Sequence, residues 1–149
     1  MALILALTMA PGAIRAAEPP RVEPVVVETS EGRFTFQTEI ADTPELRQRG
    51  LMFRQRVPED RAMLFDWHRV APVSMWMRNT YVSLDMIFIA ADGRVVKVAE
   101  ATEPLSEDTI SSGEPVAAVL EVVAGTAQRI GLEPGDRVHH PMFSSPSGG

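Results

Sequence analysis

Between Arg33 and Ile40 the chain alternates strictly: Phe34, Phe36, Thr38 and Ile40 fall on one side, and Arg33, Thr35, Gln37 and Glu39 on the other. That period of two predicts a half-buried strand, joined to Val25-Val26-Val27 by a hairpin through Ser30-Glu31-Gly32. Further strands are expected at Ala62 to Phe65, Val73 to Arg78, Leu84 to Ala91, Arg94 to Val98, Val116 to Val123 and Arg137-Val138. Asp92-Gly93, flanked by apolar runs, predicts a two-residue hairpin. Helical signals are few. Asp42-Thr43-Pro44-Glu45 offers an N-cap acid, a first-turn proline and an acid three residues on, and Gly50 stands at a C-terminal position. A second short helix is expected from Gly125 to Ile130, stopped by Gly131, with Glu133-Pro134-Gly135-Asp136 turning into the last strand. Residues 102–115 carry no apolar period and are expected to be a loop. The pattern predicts one mainly β domain, residues 25–140, built as an antiparallel sandwich or barrel with two short helices.

The ends read differently. Residues 2–14 form an apolar run, followed by small residues through Ala17, which is the layout of a signal peptide cleaved after Ala16 or Ala17. Pro11-Gly12 would interrupt a helix there, and a membrane span needs about 20 apolar residues, so no transmembrane segment is expected in the mature chain. Residues 18–24, with three prolines, are expected to form an extended linker, and residues 141–149 a tail that is disordered from Ser144 onward. These segments predict a periplasmic or secreted protein.

Composition narrows the chemistry. The 149 residues have 45% hydrophobic and 23% charged side chains, enough for one buried core and no low-complexity design. A net charge of -6 repels phosphate backbones, so nucleic acid is not an expected partner. There is no cysteine, which excludes disulfides, thiolate metal sites and cysteine nucleophiles.

Five blocks then occur in order: DTPELRQRGLMFR (Asp42 to Arg54), MWMRNTYVSLDMIFI (Met75 to Ile89), ADGRVV (Ala91 to Val96), LSEDTISSGEPV (Leu105 to Val116) and VLEVVAGTAQRIGLEPGDRV (Val119 to Val138). Together they resemble the DUF192 family of small, often exported bacterial and archaeal proteins. Met75 and Arg78 depart from that family's usual Phe-Trp-Met-Lys-Asn-Thr. The resemblance implies a compact β-rich domain and export. It brings no catalytic residue and no cofactor.

Candidate chemistry gathers at five positions. Asp85 shares a strand face with Ile87 and Ile89, and Glu121 shares one with Val119 and Val123. A carboxylate among such neighbours needs a partner. Two of them could divide acid and base roles, or each could simply cap backbone amides or form an ion pair. Trp76, Arg78 and Asn79 read as the lining of a site for a small polar ligand, in which a ring stacks while an amide and a guanidinium bond polar groups. Trp76 could equally be a core anchor. Met75 and Met77 share a face in a Met-x-Met pair, but inward strand positions explain them better than a copper site, and His68, His139 and His140 form no zinc pattern, so no metal is expected. No G-x-S-x-G elbow, phosphate loop, H-E-x-x-H or dinucleotide fingerprint is present.

Three functions follow. One is non-catalytic binding of a small polar ligand at Trp76, Arg78, Asn79, Asp85 and Glu121. Another is a hydrolase or lyase using Asp85 and Glu121 as an acid/base pair. The last is an accessory domain without a pocket. A pocket holding both carboxylates favours the enzyme, an aromatic-lined pocket without the pair favours binding, and no pocket favours the accessory role.

Overall fold

The computed structural model describes residues 18–143, so the expected signal segment at 1–17 and the tail from Ser144 to Gly149 lie outside the described residues. The strands are β1 (Val22–Thr29), β2 (Gly32–Ala41), β3 (Arg61–Ala71), β4 (Ser74–Met75), β5 (Leu84–Ile89), β6 (Val95–Ala99), β7 (Ile110–Ser111), β8 (Val116–Val123) and β9 (Arg137–His139). The helices are α1 (Pro44–Arg49) and α2 (Thr126–Arg129). Seven strands form one sheet in the order β6-β5-β8-β3-β2-β1-β9, and β4 pairs with β7 apart from it.

The large sheet curls until its edges meet. Arg94 bridges Arg137, Val95 N–H donates to the Asp136 carbonyl (2.8 Å), and Val138 N–H donates to the Gly93 carbonyl (2.7 Å). A nearly closed barrel results, which leaves few strand edges bare. Its inner core holds Phe36, Ile40, Leu64, Ile87, Leu120 and Val122 among others. On the outer face of β3, β8 and β5 lies a second core, with Met63, Phe65, Met86, Phe88 and Val119, beneath α1 and the β4 region. The expected alternation of β2 holds, since Phe36, Thr38 and Ile40 are buried while Arg33, Thr35 and Gln37 are exposed.

The mainly β expectation holds, but the sheet is mixed. β2 and β3 run parallel, with Gln37 opposite Arg61 and Ala41 opposite Phe65. Residues 42–60, which include α1, supply the long connection that parallel neighbours require. β1 starts at Val22, inside the stretch expected as linker. β9 covers β1 only at Val26 to Glu28, so Pro24 sits on an edge that needs no donor there. The N-cap of α1 is Thr43, whose hydroxyl accepts from Leu46 N–H, while Asp42 receives the guanidinium of Arg21 instead. Of the strand expected at Val73 to Arg78 only Ser74–Met75 pairs, because the chain turns at Asn79 (φ 54°) and Met77 N–H leaves for the Ser106 carbonyl. The 102–115 loop contributes β7. Phe143 is packed into the inner core, so the chain stays ordered past residue 140.

The β5–β6 hairpin forms, though through residues 90–94 rather than a two-residue turn. Ala90 N–H donates to the Arg94 carbonyl, and of Asp92 and Gly93 only the glycine has positive φ (88°). A Cβ on Gly93 would collide with the Val138 carbonyl oxygen, because the hairpin is also where the barrel closes. Gly93→Ala is expected to lose about 2 kcal/mol or more in urea denaturation. Gly113→Ala, at φ 76° with open space around it, should lose only the conformational part, about 1 kcal/mol. Equal losses would show that closure does not press on residue 93.

Candidate functional site

β8 lies between β3 and β5, and its register places Met63 and Met86 directly opposite Glu121 on either side. Directly paired residues of antiparallel neighbours share a face, so Met63, Glu121 and Met86 form a row across the outer face of the barrel. The end of α1 lies over this face. Gly50, at φ 48°, lets the chain descend until a Cβ there would stand 3.1 Å from Phe65 Cζ. On the other side the chain from Ser74 to Thr80 forms a second wall. Between them is a cleft of about 380 Å³, with Glu121, Phe65, Trp67, Met75, Trp76 and Thr80 among its walls and Arg47, Gln48 and Arg49 of α1 on one side.

Glu121 is only 4% exposed and receives no hydrogen bond from the described residues. Burial alone pushes its carboxyl up to about 8, so it holds its proton at neutral pH. Trp76 is 46% exposed, and Trp67 stacks on Phe65 with centroids 6.0 Å apart and planes at 22°. Arg47 is half-buried and donates to the Asp66 carbonyl (2.8 Å), whereas Arg49 is exposed and has no ion pair among the described residues. The arrangement is an aromatic-lined cleft with one buried acid in its floor and two arginines of α1, one half-buried and one exposed, also lining it.

Of the five residues expected to form the site, Trp76 and Glu121 line this cleft. Arg78 lies beside it, its guanidinium 5.2 Å from the Trp76 ring centroid and 3.4 Å from Glu107, so its carboxylate partner is neither Asp85 nor Glu121. Asn79 does not line the cleft. It holds a turn, its carbonyl accepting from Phe53 N–H (2.9 Å).

Asp85 lies on the opposite face of the sheet from Glu121. It pairs with Val122, the residue after Glu121, and successive strand residues point to opposite sides. Its two oxygens accept from Ala101 N–H and from Ala127 N–H at the start of α2, both at 2.9 Å. Asp85 therefore caps backbone amides on the inner side of the wall, and the proposed acid/base pairing of Asp85 with Glu121 is corrected: the sheet separates them and both Asp85 oxygens are occupied.

Sequence reading missed Trp67, Arg47 and Arg49. Trp67 continues the Met63, Phe65 alternation, but β3 was expected to stop at Phe65. Met77 is buried and its sulfur accepts from Thr102 Oγ1 (3.2 Å), as a core methionine. Phe53, Asn79 and Leu105 all have positive φ, and they are linked, since Phe53 N–H reaches the Asn79 carbonyl and Leu105 N–H the Thr80 carbonyl. Bulky residues rarely hold that conformation, and strain of this kind concentrates near functional sites.

The raised Glu121 pKa has a measurable sign. The native state keeps a proton that the unfolded chain loses near its ordinary value, so the associated stability is full below about 4.5 and is lost as pH rises through about 8. Glu23, Glu39 and Asp42 are shifted the other way by Arg21 and Arg54, but they act at acidic pH. Glu121→Gln is expected to gain on the wild type by up to roughly 1 kcal/mol per pH unit between pH 5 and 8. Thermal melts at several pH values measure it, and parallel curves would contradict a buried, unpaired acid.

Comparison with known proteins places the chain. Two solved structures are similar over nearly their whole length. One is a Sinorhizobium meliloti 1021 protein provisionally named a transcription regulator, at 44% identity and TM-score 0.80, covering 83% of this chain and 97% of that one. The other is a protein of unknown function from Novosphingobium aromaticivorans, at 34% identity and TM-score 0.79, covering 89% and 100%. A comparison with curated proteins gives no match. The family model DUF192, described as an uncharacterized ACR, matches residues 25–140. The five sequence blocks, the shared fold and this match agree, and the chain belongs to the DUF192 family.

Proposed function

We propose that this protein binds a small polar ligand, without catalysing a reaction on it, in the cleft between α1 and the Ser74 to Thr80 segment. The observation that carries this is Glu121: a carboxyl that is 4% exposed and has no hydrogen-bond partner among the described residues, at the floor of an aromatic-lined cleft. A buried polar group without a partner is costly, and a ligand that supplies the partner recovers that cost on binding. Trp76 and Trp67 provide flat surfaces against which a small molecule can stack. The volume, about 380 Å³, is near the lower end of the roughly 300–1,000 Å³ of small-molecule sites. The regulator name of the Sinorhizobium protein stays with that protein, since a net charge of -6 disfavours nucleic acid here.

The chain has only two tryptophans, and both line the cleft. Its intrinsic fluorescence therefore reports on this site. Screening amino acids, sugars, nucleosides and polyamines at millimolar concentration should identify a ligand that shifts the emission. Calorimetry should show that binding lost in Trp76→Ala and Glu121→Gln. Asp85→Asn, on the other side of the wall, should lower the melting temperature but leave affinity unchanged at 25 °C. Loss of binding in Asp85→Asn alone, or turnover of the ligand, would count against this reading.

An exported location suits a solute-binding role, and the apolar run at residues 2–14 supports it. Protein recovered from its host should have an intact mass lacking residues through Ala16 or Ala17. A chain that keeps Met1 in the cytoplasm would refute export.

A further inference from the structure

The charges around the cleft are arranged by depth, and that order selects among small polar ligands. Among the described residues lining it, the charged or titratable ones are Glu121, Arg47 and Arg49. Glu121 is at the floor, Arg47 is half-buried with one nitrogen held by the Asp66 carbonyl, and Arg49 is exposed with no ion pair among the described residues. The remaining walls are neutral: Phe65 and Trp67 from β3, Ser74 to Trp76, and Thr80, with Met63 and Met86 flanking the acid.

The geometry points to a small zwitterion of amino-acid type as the occupant, its ammonium group on Glu121, its carboxylate toward Arg49 and Arg47, and its body against Trp67 and Trp76. This deepens the binding reading above and rests on it. A neutral polyol could stack on the rings but would leave the guanidiniums without a counter-charge. An anion would satisfy the arginines and leave Glu121 unpaired in a dry place. A simple amine would satisfy Glu121 but meet two cations on entry. Only a molecule with both charges complements both the acid and the arginines, and charged partners form the stronger hydrogen bonds. Aromatic faces also favour the ammonium end.

Binding such a ligand requires Glu121 to give up its proton to solvent as the ammonium arrives. Affinity should then rise roughly tenfold per pH unit up to the Glu121 value of about 8 and level off there. A ligand that only stacks, or that binds the neutral acid, would not show this slope.

The test titrates the full mature chain with each of the twenty common amino acids at up to 10 mM, and with glucose as a neutral polyol, following tryptophan emission and calorimetric heat at pH 6, 7 and 8. At least one amino acid is expected to bind with the tenfold-per-unit slope, and its decarboxylated amine and deaminated acid at least tenfold more weakly. Glu121→Gln should lose the binding, and any residual binding should carry no slope. Arg49→Ala, a change at an exposed position, should weaken the amino acid by about tenfold while the amine binds as well as before or better, which keeps the proposal falsifiable if Glu121→Gln fails to fold. If glucose binds and no amino acid does, the zwitterion assignment is overturned while the binding reading stands. If binding is independent of pH, Glu121 does not receive the ammonium and the assignment is likewise wrong. If neither these probes nor the wider screen bind, both readings fall.

Discussion

A strand buried on both faces has no wet side to which it can send a carboxylate. β5 is buried at every position and β8 at all but two, yet each carries one acid. Because successive residues alternate in direction, the pairing of Asp85 with Val122 sends Asp85 into the barrel and Glu121 out of it. Two solutions to one electrostatic problem result. Asp85 accepts two backbone amides, one from the loop after β6 and one from α2, so it ties both to the barrel wall. Glu121 has no such amides. It keeps its proton instead, because burial raises its pKa.

Much of the fold was legible because it depends on local pattern. The β2 alternation, the buried runs of β5 and β8, the glycine at the end of α1 and the β5–β6 hairpin are all written in neighbouring residues. What depends on distant partners was not. The parallel pairing of β2 with β3 comes from the path of residues 42–60, which has no signature in alternation. The short β4 ends where Met77 N–H donates to the Ser106 carbonyl, a partner far along the chain that only tertiary contact fixes. Trp76 and Glu121 could be named as candidates from their chemistry. Their meeting in one cleft, and the separation of Glu121 from Asp85, required the register of three strands.

Asn79 and Arg78 show how residue type can mislead about role. An amide and a guanidinium beside a tryptophan look like ligand contacts, but Asn79 is chosen for its backbone: it tolerates φ 54° better than most residues, and its carbonyl then receives Phe53 N–H. Arg78 lies over the Trp76 ring and toward Glu107, both partly in solvent, where such contacts contribute little to stability. It holds one face of the ring and so limits how the indole can turn.

The outer layer is held differently from the barrel. α1 has six residues, none of them buried, and β4 and β7 have two each, so none would persist alone in water. Their stability comes from what they lean on: Gly50 against Phe65, Arg47 to the Asp66 carbonyl, Val73 N–H to Ser112 Oγ, Lys97 Nζ to the Ser111 carbonyl, and the apolar side chains packed on the second core. The barrel wall, by contrast, is a continuous ladder through β5, β8 and β3 with apolar cores on both sides. Opening the cover would expose the second core beneath it but leave the ladder intact, so it costs less free energy than global unfolding. The acid that gains from a partner sits on the rigid wall, while the groups that would close over a ligand sit on the yielding layer. Under the binding reading proposed above, such a division would admit a molecule without disturbing the register that places Glu121.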